Sequence, residues 1–233
     1  MLRWLIVAGF AASAAWAQQA ISTRAGLVQR VEGHAQVSDV GPEGLPSNMF
    51  VQLEAGQLMR TLRGRAEIFL APGAYARFGG NSEIELVAAE FSDIQVRLIE
   101  GALVADLAEG KPGKDYAVTL LWGILRVELD KRGEYEIHAR PGAAAELRVY
   151  EGKATVRQGD RAIEVHGGKE LAIEPDSWSE QRKLSVDEPR FRLIEWSRRR
   201  RAELAQGLEQ PPQWTDQDPE LDLETAPVGP PDP

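Results

Sequence analysis

Runs of alternating apolar and polar residues fill the chain between about Leu27 and Ile173. In the run from Ile94 to Leu98, the three apolar residues share one face while Gln95 and Arg97 take the other. A period of two residues is typical of β-strands with one buried face. Glycine-containing turns such as Pro72-Gly73 separate the runs at short spacing. The pattern therefore predicts an all-β body of many short antiparallel strands, arranged as a sandwich or a β-roll.

A single helix is predicted after this body, in the segment 185–210. Residues Ser185 to Glu188 fit a capping box and Gly207 can end the helix, which gives bounds of about 187–208. The apolar residues lie on one broad side, which Arg198 and Arg201 interrupt. We therefore expect the first two turns to dock on the β body and the later turns to be more exposed.

The last segment, 211–233, is rich in proline and acidic residues and contains no Lys or Arg. Such a composition cannot bury enough apolar area to offset the entropy of ordering the chain, so we predict a disordered acidic tail. Within it, Asp216, Asp218 and Glu220 have the spacing of a calcium-binding loop. Leu221 takes the place of the turn glycine, however, so no calcium loop is predicted.

The segment 1–17 has the three parts of a secretory signal peptide. Arg3 gives a positive start, an apolar stretch from Leu5 to Phe10 follows, and Ala15-Trp16-Ala17 provides a small-residue cleavage site. We expect cleavage after Ala17, a mature chain that begins at Gln18, and a periplasmic or secreted location. No apolar stretch is long enough for a permanent transmembrane helix.

Composition narrows the picture in two ways. The chain has no cysteine, so an exported fold cannot depend on disulfides or on a lipidated cysteine and must rest on a hydrophobic core. We assign this core to a single β domain at 18–180. With 27 basic and 36 acidic residues the net charge is −9, which argues against general nucleic-acid binding and against adhesion to anionic membranes.

Several motifs follow one another along the β body. They are Gly56 to Thr61 with Gly64-Arg65-Ala66-Glu67, Pro72-Gly73-Ala74, Asn81 to Leu86, Val96-Arg97-Leu98 before Gly101, Leu147 to Val156 around Glu151-Gly152, and Ile163 to Ile173 around Gly167-Gly168. In this order they resemble the periplasmic FecR-type domain family over about Gly26 to Ile173. The resemblance implies an all-β periplasmic module without catalytic activity. The best-known members of that family relay a signal from an outer-membrane transporter to a sigma factor.

The three histidines, His34, His138 and His166, fall on the polar faces of three different strands. No two of them are spaced to bind one metal from one strand, and there is no cysteine to join them. We expect solvated histidines and no metal or other cofactor. A metal site assembled across strands is the alternative.

Two carboxylate pairs, Glu83/Glu85 and Glu134/Glu136, each project from one strand face. Glycoside hydrolysis needs two carboxylates facing each other across a cleft, one of them with a raised pKa. These pairs are expected on outward faces, where the charges are solvated. Because the sequence also has no nucleophile elbow, phosphate loop or zinc-protease motif, we predict no catalytic residue and no enzyme.

Four adjacent arginines follow Trp196 in the predicted helix, and they point around a whole turn. One interpretation is a solvated helix surface. A second is a docking patch for an anionic partner, because arginine beside tryptophan is common at interface centres. A third is that the acidic tail folds back on the arginines. The candidate interaction residues are Trp196, Arg198, Arg199, Arg200 and Arg201.

These observations predict a non-enzymatic binding or scaffolding module of the bacterial cell envelope. The main hypothesis is protein interaction, with a role in envelope signalling, through the sheet surface and the Trp196 region. The alternative is binding to an envelope glycan or polyanion, in which Trp122 and Trp178 stack on sugar rings. A hydrolase is the least favoured function. The expected partner is a protein or an envelope polymer, and the sequence does not specify the oligomeric state.

Overall fold

The computed structural model describes residues 24–38, 50–140, 144–174, 178–185 and 192–207. The predicted signal peptide, the start of the predicted helix and the acidic tail lie outside these residues. The calcium-like spacing at Asp216 lies outside them as well. Statements about these segments therefore remain predictions.

Fourteen strands and one helix occur in the described residues. They are β1 (Leu27–Val37), β2 (Val51–Gln52), β3 (Leu58–Ala71), β4 (Ala74–Phe78), β5 (Ser82–Glu90), β6 (Asp93–Leu107), β7 (Val118–Trp122), β8 (Leu125–Leu129), β9 (Gly133–Ala139), β10 (Ala145–Glu151), β11 (Lys153–Gln158), β12 (Arg161–His166), β13 (Lys169–Ile173), β14 (Arg182–Lys183) and α1 (Arg192–Ala205).

The strands form one continuous sheet that divides into two layers, because the long strands change partners along their length. The first half of β6 pairs with β5 and β7, and the pairing continues through β8, β11 and β12. The second half of β6 pairs with β4 and β9, and the pairing continues through β10, β13 and β14. Likewise, β3 pairs first with β5 and then with β4. We call these the first and second layers.

Two glycines mark the places where long strands pass between the layers. Gly64 in β3 has φ +113°, and a Cβ there would overlap the carbonyl oxygen of Glu32 in β1. Gly101 in β6 has φ +94°, and a Cβ there would overlap the Ser82 side chain. Only glycine combines this backbone conformation with so close an approach.

The apolar faces of both layers meet in one hydrophobic core. Ile84, Ile94 and Val127 of the first layer belong to the same buried cluster as Ile68 and Ile137 of the second. The two-residue period thus located the core-facing positions correctly. The all-β fold with one C-terminal helix is confirmed. Among the strands of the described residues, β6 and β7 depart from the expected antiparallel pairing, since they are parallel.

Helix α1 lies on the outer face of the second layer, against β4 and β6. It occupies Arg192–Ala205, inside the predicted segment, and Gly207 with φ +65° follows its last turn. In the described part of the chain, no helix has the length and apolar character needed to cross a membrane.

Candidate functional site

Neighbouring strands of the second layer place one row of residues side by side. From β1 to β14, each residue of the row is the register partner of the next. Basic and acidic residues alternate on both sides of the apolar residue at the centre, so each charged member has an oppositely charged cross-strand neighbour. We call this the charged row: Arg30, Glu67, Arg77, Val104, Glu136, Arg148, Glu170 and Arg182.

Helix α1 crosses the charged row at Val104. Leu193, Ile194 and Trp196 of the helix are buried in one apolar cluster with Val104. The indole Nε1 of Trp196 donates to Glu32 Oε1 over 3.3 Å. The only apolar position of the row is therefore the place where the apolar side of α1 docks.

Arg77 is fully buried at the interface between the sheet and α1. Its Nε donates to Glu67 Oε2 over 2.7 Å, and its Nη1 donates to Asp106 Oδ2 over 2.7 Å. The same Nη1 lies 2.7 Å from Ser197 Oγ of α1. One guanidinium thus joins β3, β6 and the helix through short, desolvated contacts.

Arg200 of α1 binds the buried carboxylate of Glu67 from the helix side. Its Nη2 donates to Glu67 Oε1 over 2.9 Å, and its Nη1 donates to Glu203 Oε2 over 2.6 Å. Both oxygens of Glu67 are therefore bound by arginine, one from the sheet and one from the helix.

Two further arginines of α1 bind carboxylates of the second layer. Arg198 Nη2 lies 2.7 Å from Glu134 Oε2, while Arg201 binds Asp106 and lies 2.9 Å from Glu134 Oε1. Asp106 and Glu134 are neighbours in the β6–β9 register and are both buried. Two adjacent buried carboxylates repel each other unless cations bind them, so α1 removes a repulsion that the sheet alone would contain.

The sheet and the helix have complementary charges at this interface. The sheet contributes three buried carboxylates and one guanidinium, which binds two of them, and α1 adds three more guanidinium groups. A buried charge without a partner is strongly unfavourable, so this face of the sheet requires the helix. We call this set the buried charge cluster: Glu67, Arg77, Asp106, Glu134, Arg198, Arg200 and Arg201.

The structure places the predicted interaction residues largely in this cluster. Trp196 and Arg200 are only 4% and 3% exposed, and Arg198 and Arg201 bind buried carboxylates. Arg199 lies on the exposed side of α1. The expectation that the later turns are more exposed is wrong at Arg200, because Glu67 holds this side chain inside. Contact between these residues and an anionic partner stays a prediction.

The carboxylate pair Glu134/Glu136 requires a correction. Both side chains leave the strand on the face opposite the core, as expected, but both are buried rather than solvated. The reason is that α1 and long side chains of neighbouring strands cover this face. By contrast, Glu83 and Glu85 are partly exposed on the first layer.

Glu136 is held in its charged form. Tyr150 donates to its Oε2 over 2.6 Å, His138 Nε2 lies 2.9 Å from its Oε1, and Arg148 Nη1 lies 3.7 Å away. Burial by itself raises the pKa of this carboxyl, but the bonds from His138 and Tyr150 and the charge of Arg148 outweigh burial and lower it. A carboxyl with a lowered pKa is a poor proton donor near neutral pH.

The three histidines differ in how far they are exposed to solvent. His34 and His166 are exposed, whereas His138 is partly buried against Glu136. Among the described residues, no three His, Cys, Asp or Glu side chains are arranged to hold a metal ion.

An open groove of about 700 Å³ lies beside the C-terminal half of α1. Four segments form it: the loop after β6, the turn between β8 and β9, the turn after β10, and α1 itself. Basic side chains predominate among its charged residues. The lining residues with charged side chains are Lys111, Asp130, Lys131, Arg132, Glu151 and Arg201.

Two buried tyrosines fix the loops that carry the basic residues of the groove. Tyr116 donates to the carbonyl of Glu109 over 2.6 Å, and Tyr135 donates to the carbonyl of Lys131 over 2.5 Å. Burial raises the pKa of each hydroxyl to about 12, so both remain donors at physiological pH. The walls of the groove are therefore set before any ligand binds.

Sequence reasoning missed both the buried charge cluster and the groove. A signal for the cluster was present, since charged residues occupy the non-core positions of β3, β4, β6, β9 and β10, and an arginine-rich helix follows. The basic residues Lys111, Lys131 and Arg132 each lie next to a glycine or within a turn, and no local pattern indicates that they meet in one groove.

No protein-family model matches the chain, and no curated protein matches its sequence. Two crystal structures, at 2.50 and 1.65 Å resolution, described as a candidate anti-sigma factor from Parabacteroides distasonis ATCC 8503, are similar with a TM-score of 0.47 each. Sequence identity is 11% and 10%, over 60% of this chain. The match spans 63% and 64% of those chains, less than two thirds of their length. A likeness at this level assigns neither family nor function.

Proposed function

We propose that this chain is an exported, non-enzymatic binding module of the bacterial cell envelope. The observation that carries the proposal is the open groove beside α1, whose loops are held on the β body by hydrogen bonds from buried tyrosines. Concave sites with a few convergent polar groups are where proteins most often bind ligands. The resemblance to FecR-type domains supports the envelope location and a signalling role.

The non-enzymatic part of the proposal is supported by the state of the buried carboxylates. Glu67, Asp106 and Glu134 each contact at least two arginines, and Glu136 is bound by Tyr150 and lies beside Arg148. Inside the protein, these contacts occupy the carboxylate oxygens that would have to meet a substrate. Glu67, Asp106 and Glu134 serve instead to hold α1 on the sheet.

Binding of an envelope polyanion is the second candidate, favoured by the basic side chains of the groove. The sugar-stacking version of this function has less support. The guanidinium of Arg161 lies 4.4 Å from the ring centroid of Trp178 and occupies one face of it, while Trp122 packs partly against the core.

Co-sedimentation of the full chain with fractionated envelope from the source bacterium tests the proposal. We expect the protein to sediment with one fraction, either sacculi or outer membranes, and to give no turnover of peptidoglycan, glycan or ester substrates. Robust turnover that one substitution abolishes would overturn the non-enzymatic assignment. Absence from every fraction would overturn the binding assignment.

A further inference from the structure

We propose that the groove beside α1 binds a multivalent anion, with phosphate or carboxylate groups, through Lys111, Lys131 and Arg132. This inference rests on the proposed binding function and names its ligand class. It moves the anion site away from the arginine run of α1, whose side chains largely bind the sheet.

The three cations are available for a ligand. Lys111, Lys131 and Arg132 are all exposed, and none lies within ion-pair distance of a carboxylate in the described residues. Lys131 interacts electrostatically with Glu164, whose carboxylate Lys153 already binds at 2.6 Å. The fourth basic residue of the groove, Arg201, is already bound by Asp106 and Glu134. The groove therefore has unneutralised positive charge in a chain whose net charge is −9.

The acidic residues of the groove do not cancel this charge. The carboxylate of Asp130 accepts a hydrogen bond from Thr155 Oγ1 over 2.6 Å and lies 3.5 Å from Lys153 Nζ, and neither residue lines the groove. The charge of Glu151 acts on Arg198 and Arg201 of α1, so it is also partly offset by residues other than Lys111, Lys131 and Arg132.

The cation-bearing loops are held in place by buried tyrosine hydroxyls and by a side-chain hydrogen bond to the backbone. The Lys111 loop is fixed by the Tyr116 hydroxyl and by the bond from the Lys111 amide to Asp115 Oδ2 over 2.9 Å. The turn with Lys131 and Arg132 is fixed by the Tyr135 hydroxyl, which also accepts from the Lys153 amide over 3.0 Å. Loops that are already ordered lose less entropy when a ligand binds.

The size of the groove favours a ligand with several anionic groups over a single small ion. A volume of about 700 Å³ is in the range of small-molecule sites. The three cations come from two loops, so one anionic group cannot contact all of them as well as two or three linked groups can.

Isothermal titration calorimetry of the full chain tests the inference with two probes, tripolyphosphate and trigalacturonate. These separate phosphate from carboxylate recognition. The groove variant is Lys131→Gln/Arg132→Gln. The matched control is Arg126→Gln/Lys169→Gln, which removes the same charge from exposed positions of β8 and β13 outside the groove. Circular dichroism confirms that both variants are folded.

We expect the wild type and the control to bind at least one probe with affinities within about twofold of each other. The groove variant should bind the same probe at least about tenfold more weakly. Binding should also weaken as salt is added. Amine labelling of Lys111 and Lys131 should be slowed by the same probe. Absence of binding to both probes, or equal losses in the groove variant and the control, would overturn the inference.

The envelope co-sedimentation experiment separates this inference from the proposed function. If the wild type and the groove variant sediment equally well, the chain is a binding module but the groove is not its site. If the groove variant alone is lost from the pellet, both proposals are supported.

Discussion

Arg200→Met is the substitution that probes the buried charge cluster most directly. Methionine keeps much of the length and apolar character of the arginine stem but removes the guanidinium. Arg200 is 3% exposed and binds Glu67, whose side chain is fully buried. The variant therefore leaves Glu67 Oε1 without its partner in a place that water does not reach.

The expected cost follows from this geometry. Removing one partner of a buried ion pair usually destabilises a protein by about 3–5 kcal/mol. Glu67 keeps Arg77 at 2.7 Å, and Glu203 is partly exposed and can be hydrated. We therefore expect the lower end of the range, about 3 kcal/mol.

The matched control is Arg198→Met in the same helix. The Arg198 side chain is 51% exposed, and its partner Glu134 keeps Arg201 at 2.9 Å. Because the Arg198 guanidinium is half-exposed and the buried Glu134 keeps a second arginine, we expect a smaller cost of about 1 kcal/mol. The two variants remove the same group from the same helix, so their difference isolates the effect of burial.

Two measurements report the loss of stability caused by Arg200→Met. Equilibrium urea unfolding reports the global free energy of unfolding, and hydrogen exchange of the α1 amides reports local undocking of the helix. About 3 kcal/mol corresponds to a loss of protection in α1 of roughly a hundredfold. If Arg200→Met and Arg198→Met have equal effects by both measurements, or if Arg200→Met and Glu67→Gln are additive, the cluster does not hold the helix as we describe.

Four further predictions follow from the structure and the sequence. Gly64→Ala should cost about 2 kcal/mol or more, because alanine at φ +113° would overlap the Glu32 carbonyl, whereas Gly159→Ala at φ +56° in open space should cost about 1 kcal/mol; urea unfolding compares them. All four tyrosines have raised pKa values, so absorbance at 295 nm should show that less than half of them are ionised at pH 11 in the native protein and nearly all in urea. The free energy of unfolding should also fall above pH 10, and equal titration curves in the two states would contradict this. The pKa of Glu136 is lowered, so the stability that this carboxylate contributes is present above about pH 4.5 and is lost as pH falls through its folded pKa. Glu136→Gln should therefore make the free energy of unfolding depend less steeply on pH in the acid range, and an unchanged slope would argue against the lowered pKa. Edman sequencing of exported protein should begin at Gln18, and an intact Met1 would show that the signal peptide is not cleaved.

The strands and their core-facing residues could be predicted because they depend on local pattern. Alternation places Ile94, Val96 and Leu98 on one side of a strand whatever its neighbours are, and all three are buried. Gly207, which follows the last turn of α1, could be recognised for the same reason, since turn and cap residues act over a few positions.

Whether the side chains on the opposite face of each strand are exposed or buried could not be predicted in this way. Alternation separates core positions from non-core positions, but it does not say whether a non-core face meets water or another element. Glu83 and Glu136 both occupy such positions, and one is partly exposed while the other is fully buried. The difference lies in α1 and in the pairing of β6 with β9 and of β9 with β10, which join residues distant in the chain.

The sequence by itself therefore determined the two-residue period, the core face of each strand, and the presence of a C-terminal helix rich in arginine. Only the tertiary structure decided that this helix covers buried carboxylates, and that Lys111, Lys131 and Arg132 face one groove. The physical reason is range. Backbone preference and hydrophobic patterning act between residues near in sequence, whereas the pairing of buried charges depends on which surfaces the completed fold brings within a few ångströms.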